Sequence, residues 1–343
     1  MNDTPHDAPH DRPAPSRTLA FSGWYPYLMG AAVGLGLRLV FSGSPGNRYS
    51  AMLAAFIYLA PALCGAVTVY VAERRARRSW RYCLFAPWLS TALMVAGALT
   101  ILVEGWICAI VIFPLFMLLG SVGGALMGLV CRLTRWPRHA LYGFAALPLA
   151  LGMVEPQLPN PVARSQASHS VFVDAPPGRV WEALNEVRDI REDELGAVWA
   201  YRIGVPRPLE SLTETVAVGP DTPTGHIRRM RWDRGVRFDG LVTTWRPGRE
   251  LAWNYRFGPG AVPPGALDDH VQVGGHYFDL NETRFTLTPR GRGTDLRIDV
   301  HWRTSTHFNW YANAAARLLI GNFTHGILDF YKARAERAPA GRG

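Results

Sequence analysis

The chain is 343 residues long with a formal net charge of +9, a length that accommodates two domains. The charge is unevenly placed: residues 1–155 hold 12 Lys/Arg against 6 Asp/Glu, and residues 156–343 hold 24 against 21. With so small an excess, the second part lacks the broad basic face of a nucleic-acid binder, and no nucleic-acid partner is expected.

Residues 1–23 open with "MNDTPHDAPHDRPAPSRTLA", rich in Pro, His and Asp with little to bury, and read as a disordered tail. Residues 24–154 are mostly Ala, Leu, Gly, Val and Ile. Five spans can be drawn in them, at about 24–42, 51–72, 83–103, 106–131 and 139–154. The first four reach the ~20 apolar residues that a helix needs to cross the hydrocarbon core. The fifth is short and contains Pro148. An all-α transmembrane bundle of about five helices is expected here, multi-pass in the cytoplasmic membrane and with the bilayer as partner.

Orientation follows from arginine. Arg74, Arg75, Arg77, Arg78 and Arg81 lie between spans two and three, and Arg132, Arg135 and Arg138 lie between spans four and five. The positive-inside rule puts both clusters and the N-terminus in the cytoplasm. If span five crosses, the remainder of the chain lies on the outer, periplasmic or extracellular, side, which is the expectation; if it does not, that part lies inside. Gly30/Gly34 and Gly120/Gly124/Gly128 form small-residue faces for close helix contact. Arg38 and Glu104 are charges near span ends, read as snorkelling or as part of a tight turn. Cys64, Cys83, Cys108 and Cys131 lie in or beside apolar runs without metal-ligand spacing and read as small buried hydrophobes.

A linker, residues 155–167, contains prolines. A strand then places Val171 and Val173 on one face, with Asp174 as the cap of a short helix whose stripe is Val180, Trp181, Leu184 and Val187. Strand-like runs follow in pairs. "VRFDGLVTTW" and "ELAWNYRFG" flank the turn "RPGR", and "HYFDLNETRFTLTP" and "TDLRIDVHWRT" flank "RGRG". A long helix over about 307–337 closes the chain, with Thr306 as its cap. Residues 338–343 read as a short disordered tail.

In this order, "VFVDAPPGRVWEAL", "FDGLVTTWRPGRELAW" and "FNWYANAAARLLIGNFTHGILDFYKARAE" make residues 168–337 resemble the START-like superfamily (SRPBCC, the helix-grip fold). The resemblance is to its polyketide cyclase/dehydrase and lipid-transport group, here fused to a membrane region. It implies an α+β domain, a curved antiparallel sheet wrapped around the long C-terminal helix, with a cavity for an apolar or amphipathic small molecule.

The function expected on these grounds is a membrane-tethered, non-enzymatic binding module for a lipid or similar ligand. One alternative is a membrane-associated cyclase or dehydratase of polyketide-like substrates, for which Asp279, His276 and Tyr277 are the catalytic candidates. The other is an interaction domain whose aromatic side chains close the core. The ligand-binding candidates are Arg229, Trp253, Tyr255, Tyr277, Asp279, Asn281, Thr283, Trp302 and Tyr311. Arg229 is placed there as the partner of an acidic head group. Tyr277, Asp279, Asn281 and Thr283 are placed there because strand alternation puts them on the face of Phe285 and Leu287. Asp268, Asp269, His270 and His276 are residue types of a metal site, but their spacing matches no standard pattern. Neither a metal nor a cofactor is expected.

Overall fold

The computed structural model describes residues 18–134, 137–196, 198–268 and 272–337. Helices occur at all five expected positions: α1 (Thr18–Val40), α2 (Ala54–Glu73), α3 (Trp80–Thr100), α4 (Trp106–Leu133) and α5 (Pro137–Val154). Three of them, α2, α3 and α4, are long and apolar enough to cross a membrane. α1 falls short because Tyr25, Pro26, Tyr27, Arg38 and its glycines dilute the apolar content. α5 is the shortest of the five and carries Pro148.

The helices pack tightly because glycine faces let backbones approach. A Cβ on Gly123 would lie 1.9 Å from the Ala62 carbonyl oxygen, and one on Gly65 would lie 2.0 Å from that of Gly120. Gly30 and Gly124 are equally close to α2 and α3, at Thr68 and Cys83. Around these seams Phe41, Phe56, Leu63, Met94 and Phe116 form a buried cluster.

The two ends of the bundle are chemically different. At one end the Arg132 guanidinium donates to the Arg78 carbonyl at 2.8 Å and covers the Trp80 ring, so the arginine-rich connections lie together. At the other end α1 finishes, α2 starts, α3 passes to α4, and α5 finishes. There the Glu155 carboxylate accepts from the Ala54 and Ala55 N–H groups at 2.6 and 2.8 Å. It thereby caps the exposed donors of the α2 N-terminus.

The second half is one eight-stranded antiparallel sheet in the order β1-β8-β7-β6-β5-β4-β3-β2. The strands are β1 (Val162–Val173), β2 (Glu186–Val187), β3 (Pro208–Thr215), β4 (His226–Trp232), β5 (Arg237–Arg246), β6 (Glu250–Arg256), β7 (Phe278–Arg290) and β8 (Gly293–Ser305). Short helices α6 (Pro177–Asn185) and α7 (Trp199–Arg202) follow β1 and β2, and α8 (Asn309–Glu336) ends the fold. β1 begins at Val162, inside the stretch expected to be linker.

Breaks in the strand register at Pro208/Glu210, Val242/Thr244 and Leu280/Glu282 mark bulges or similar irregularities, which bend and twist a sheet. The sheet accordingly curls around α8, which is the helix-grip fold. Its core joins Val173, Leu184, Leu251, Phe285, Leu296 and Phe330.

Two expected helix caps are corrected. Pro176, not Asp174, stands at the cap of α6, and the Asp174 backbone N–H is held by Glu336 instead. Thr306 does not cap α8; its N–H and hydroxyl donate to the Asn309 carboxamide at 2.9 and 3.0 Å, because the helix begins two residues later than expected.

The sheet and the helices meet across one interface. Phe308 belongs to the buried cluster of the bundle, with Tyr311 and Ala312 packed against it. Tyr311 donates to the Val111 carbonyl at 2.5 Å, and the Trp310 indole donates to the Tyr58 hydroxyl at 2.8 Å. The Asp268 carboxylate accepts from the Cys108 N–H at 3.3 Å, at the first turn of α4.

Candidate functional site

A sheet curled around a helix leaves space between the layers unless large side chains fill it, and here they do not. A cavity of about 340 Å³ runs along α8 between the helix and the concave face. This is within the range of small-molecule sites, ~300–1,000 Å³. One face of α8 lines it from Tyr311 to Tyr331, about 30 Å at a rise of 1.5 Å per residue. Met230, Trp253, Phe285 and Val300 form the opposite wall. The cavity does not stop at the sheet: Ile57, Met94, Ile107, Ile112 and Phe116 continue it into the space between α2, α3 and α4.

The walls are overwhelmingly apolar, with polar groups at three depths. At the bundle end Arg38 and Glu104 pair at 2.5 Å, and Arg38 also bonds the carbonyls of Phe41 and Val103. The two charges placed at span ends thus hold each other and tie α1 to the α3–α4 connection. In the middle, Tyr255 and Thr283 share a 2.6 Å hydrogen bond, and burial pushes the Tyr255 phenol up to about 12, so it stays protonated.

At the far end lies Arg228, 1 % exposed. Its Nη2 donates to the Leu184 carbonyl at 2.7 Å and to the Tyr331 hydroxyl at 3.0 Å, and its Nη1 reaches Thr213 at 3.3 Å. The guanidinium carbon sits 4.8 Å from the centre of the Trp253 ring.

Of the expected ligand residues, Trp253, Tyr255, Tyr277, Thr283 and Tyr311 line this cavity. Tyr277 does so at the bundle end, with its hydroxyl engaged by Ser50 and Gly46. Asp279 and Asn281 lie away from it. The register shift at Leu280/Glu282 breaks the alternation assumed for β7, so Phe278 and Leu280 face inward before it and Thr283 and Phe285 after it. Asp279 is opposite Arg303 in the ladder; burial raises its carboxyl above the ordinary value, and Arg303 opposes the rise.

Trp302 is fully buried but packs outside the cavity against Ala167 and Ala316, donating its indole N–H to Asn313 at 3.1 Å. His276 is exposed and meets the Asn160 carboxamide. The three catalytic candidates are therefore not assembled around one cavity position. Asp269 and His270 lie outside the described residues. Asp268 holds the Cys108 N–H, and the described residues contain no metal-binding group of His, Cys, Asp and Glu.

Arg229 is the instructive correction. It points to the outer face and pairs with Glu214 and Asp239, while its neighbour Arg228 enters the core. A shift of one residue on a strand exchanges faces. The signal was present in "HIRRMRW": Met230 and Trp232 mark the apolar face, and Arg228 is in phase with them. The bundle residues of the cavity carried no such signal, because their inward direction depends on how two halves dock.

No family model matches the chain, and no curated protein matches it in sequence. Among solved structures it is similar to the Zhui aromatase/cyclase from Streptomyces sp. R1128, at 16% identity over 51% of this chain and 95% of that one, with a TM-score of 0.31. It is also similar to protein CV1439 from Chromobacterium violaceum, at 17% identity over 52% and 100%, TM-score 0.29. A third is the di-domain ARO/CYC StfQ from the steffimycin biosynthetic pathway, at 13% identity over 58% and 59%, TM-score 0.29.

Proposed function

We propose that this chain is a membrane-tethered module that binds an apolar or amphipathic small molecule in the α8 cavity and exchanges it with the bilayer. The observation that carries the reading is the continuity of the cavity from the sheet into the α2–α4 bundle. A site that served only soluble ligands would have no need of walls built from helices of membrane-spanning length and composition. The unfilled interior also speaks against an interaction domain with a closed aromatic core.

The same reading places the sheet outside the cytoplasm. It rests on the end of the bundle away from Arg78 and Arg132, and the positive-inside rule assigns the arginine end to the cytoplasm. A cyclase or dehydratase would need a general acid or base within reach of a bound substrate; His276 and Asp279 do not line the cavity, and of the groups that do, the Tyr277 hydroxyl is engaged by Ser50 and Gly46, Glu104 is paired with Arg38, and Asp268 holds the Cys108 N–H. Binding is therefore the reading the geometry favours.

The test is to purify the full chain in phosphatidylcholine nanodiscs and extract it for mass spectrometry. One enriched apolar species at near-stoichiometric amount is expected. Ala315 lines the cavity from α8, so Ala315→Trp should fill the space and lower the yield of that species several-fold while the chain still folds. A chain that carries nothing, and whose melting is unmoved by a panel of lipids, refutes the reading.

A further inference from the structure

Arg228 is the most deeply buried cation of the sheet half, and among the described residues no carboxylate pairs with it. Its neighbours are a carbonyl, two hydroxyls and an aromatic face, all neutral. A guanidinium stays charged in proteins, and a buried charge is costly unless paired. The Arg229, Arg284 and Arg297 side chains of the outer face each have an acidic partner. The inward one does not.

The donors around it are also incomplete. Among the described residues Arg228 Nε is buried without a hydrogen-bond partner, and Trp253 Nε1, also buried, has only the neighbouring Tyr255 phenol to turn to and makes no bond of ordinary length. The Tyr331 hydroxyl accepts from Arg228, which leaves its own O–H available to donate. All three side chains line the cavity at its far end. Buried donors of this kind are rare in folded proteins and call for an explanation. An oxyanion would satisfy the three together and neutralise the charge.

From this we infer that the ligand is an anionic amphiphile, bound head first. Its carboxylate or phosphate meets Arg228, Trp253 and Tyr331 at the far end, and its single apolar tail lies along α8 toward α2–α4. The inference rests on the apolar-ligand reading and adds the head-group chemistry and the direction of binding. The tail end of the cavity contains the Arg38 side chain, but that cation is already paired with Glu104. The far end is where an anion is wanted.

The experiment uses the full chain in phosphatidylcholine nanodiscs and displacement of the neutral dye Nile red by four sixteen-carbon probes: palmitate, palmitoyl lysophosphatidic acid, hexadecanol and hexadecylamine. Palmitate or the lysophosphatidic acid should displace the dye at about tenfold lower concentration than hexadecanol, and whichever is stronger identifies the head group. Hexadecylamine should be the weakest of the four. Arg228→Gln should bring the anion-to-alcohol ratio close to one. Trp253→Phe, which keeps the ring but removes the N–H, should lower it in part and serves if Arg228→Gln does not fold. Equal displacement by anion and alcohol in the unaltered chain overturns the head-group inference but leaves the apolar-ligand reading intact. Failure of all four to displace the dye overturns both.

Discussion

Tyr277 and Ser50, 227 positions apart in the chain, are joined by a 3.0 Å hydrogen bond from the phenol to the serine hydroxyl. The same phenol accepts the Gly46 N–H at 2.9 Å. One side chain at the entrance to β7 thus fastens the sheet to the loop between α1 and α2.

Tyr277→Phe removes both bonds and leaves buried Ser50 and the Gly46 amide without that partner. A loss of about 1–2 kcal/mol is expected, concentrated at the junction. Hydrogen exchange should show the Gly46 segment opening faster while the β8 amides keep their protection. Unchanged exchange at residues 43–52 would count against this fastening.

Glu155 stitches the end of α5 to the start of α2 through two backbone donors. Glu155→Gln keeps the shape but removes the charge that suits a helix N-terminus, and should cost about 1 kcal/mol. The change should appear as faster exchange in the first turn of α2. Equal exchange there in both chains would mean that the carboxylate charge contributes nothing.

Glu194 accepts from Arg334 at 2.8 Å, from Arg337 at 2.9 Å and from the Arg191 backbone at 3.2 Å. The Arg334 bond leads in holding its carboxyl at about 2, against an ordinary 4.5, with burial pulling the other way. A depressed acid stabilises the fold fully above its ordinary value and loses that contribution as pH falls from 4.5 toward 2. Glu194→Gln should therefore cost about 2 kcal/mol at pH 7, with the gap to the unaltered chain closing by pH 2. Denaturant midpoints across that range measure it, and a pH-independent gap would be the contrary result.

Gly123 and Gly143 offer a paired comparison inside helices. A Cβ at Gly123 meets the Ala62 carbonyl, whereas one at Gly143 has nothing within 4 Å. Gly123→Val should destabilise the bundle by about 2 kcal/mol or more, and Gly143→Ala should be neutral or slightly stabilising. Similar melting shifts for both would argue against close packing of α2 on α4.

Much of this was legible in the chain. The "RPGR" and "RGRG" turns, with Gly248 and Gly291 at positive φ, fix two hairpins, and the alternation of Leu296, Ile298 and Val300 fixes the buried face of β8. Glycine spacing announced the helix seams. What escaped was of two kinds. The irregularity after Leu280 reverses a face without changing composition, which is why Asp279 and Asn281 were assigned inward. The docking of Asp268 on α4 and of Tyr277 on Ser50 joins segments whose local patterns are complete without each other. Arg228 belongs to neither kind, since the phase of Met230 and Trp232 already pointed to it.

α8 runs without a proline from Asn309 to Glu336. Its first turn is embedded among the bundle side chains, and its last turns carry Tyr331 and Arg334. One unbroken helix is thus the shared wall of the whole cavity, in contact with the bundle at Tyr311 and with the Arg228 guanidinium at Tyr331.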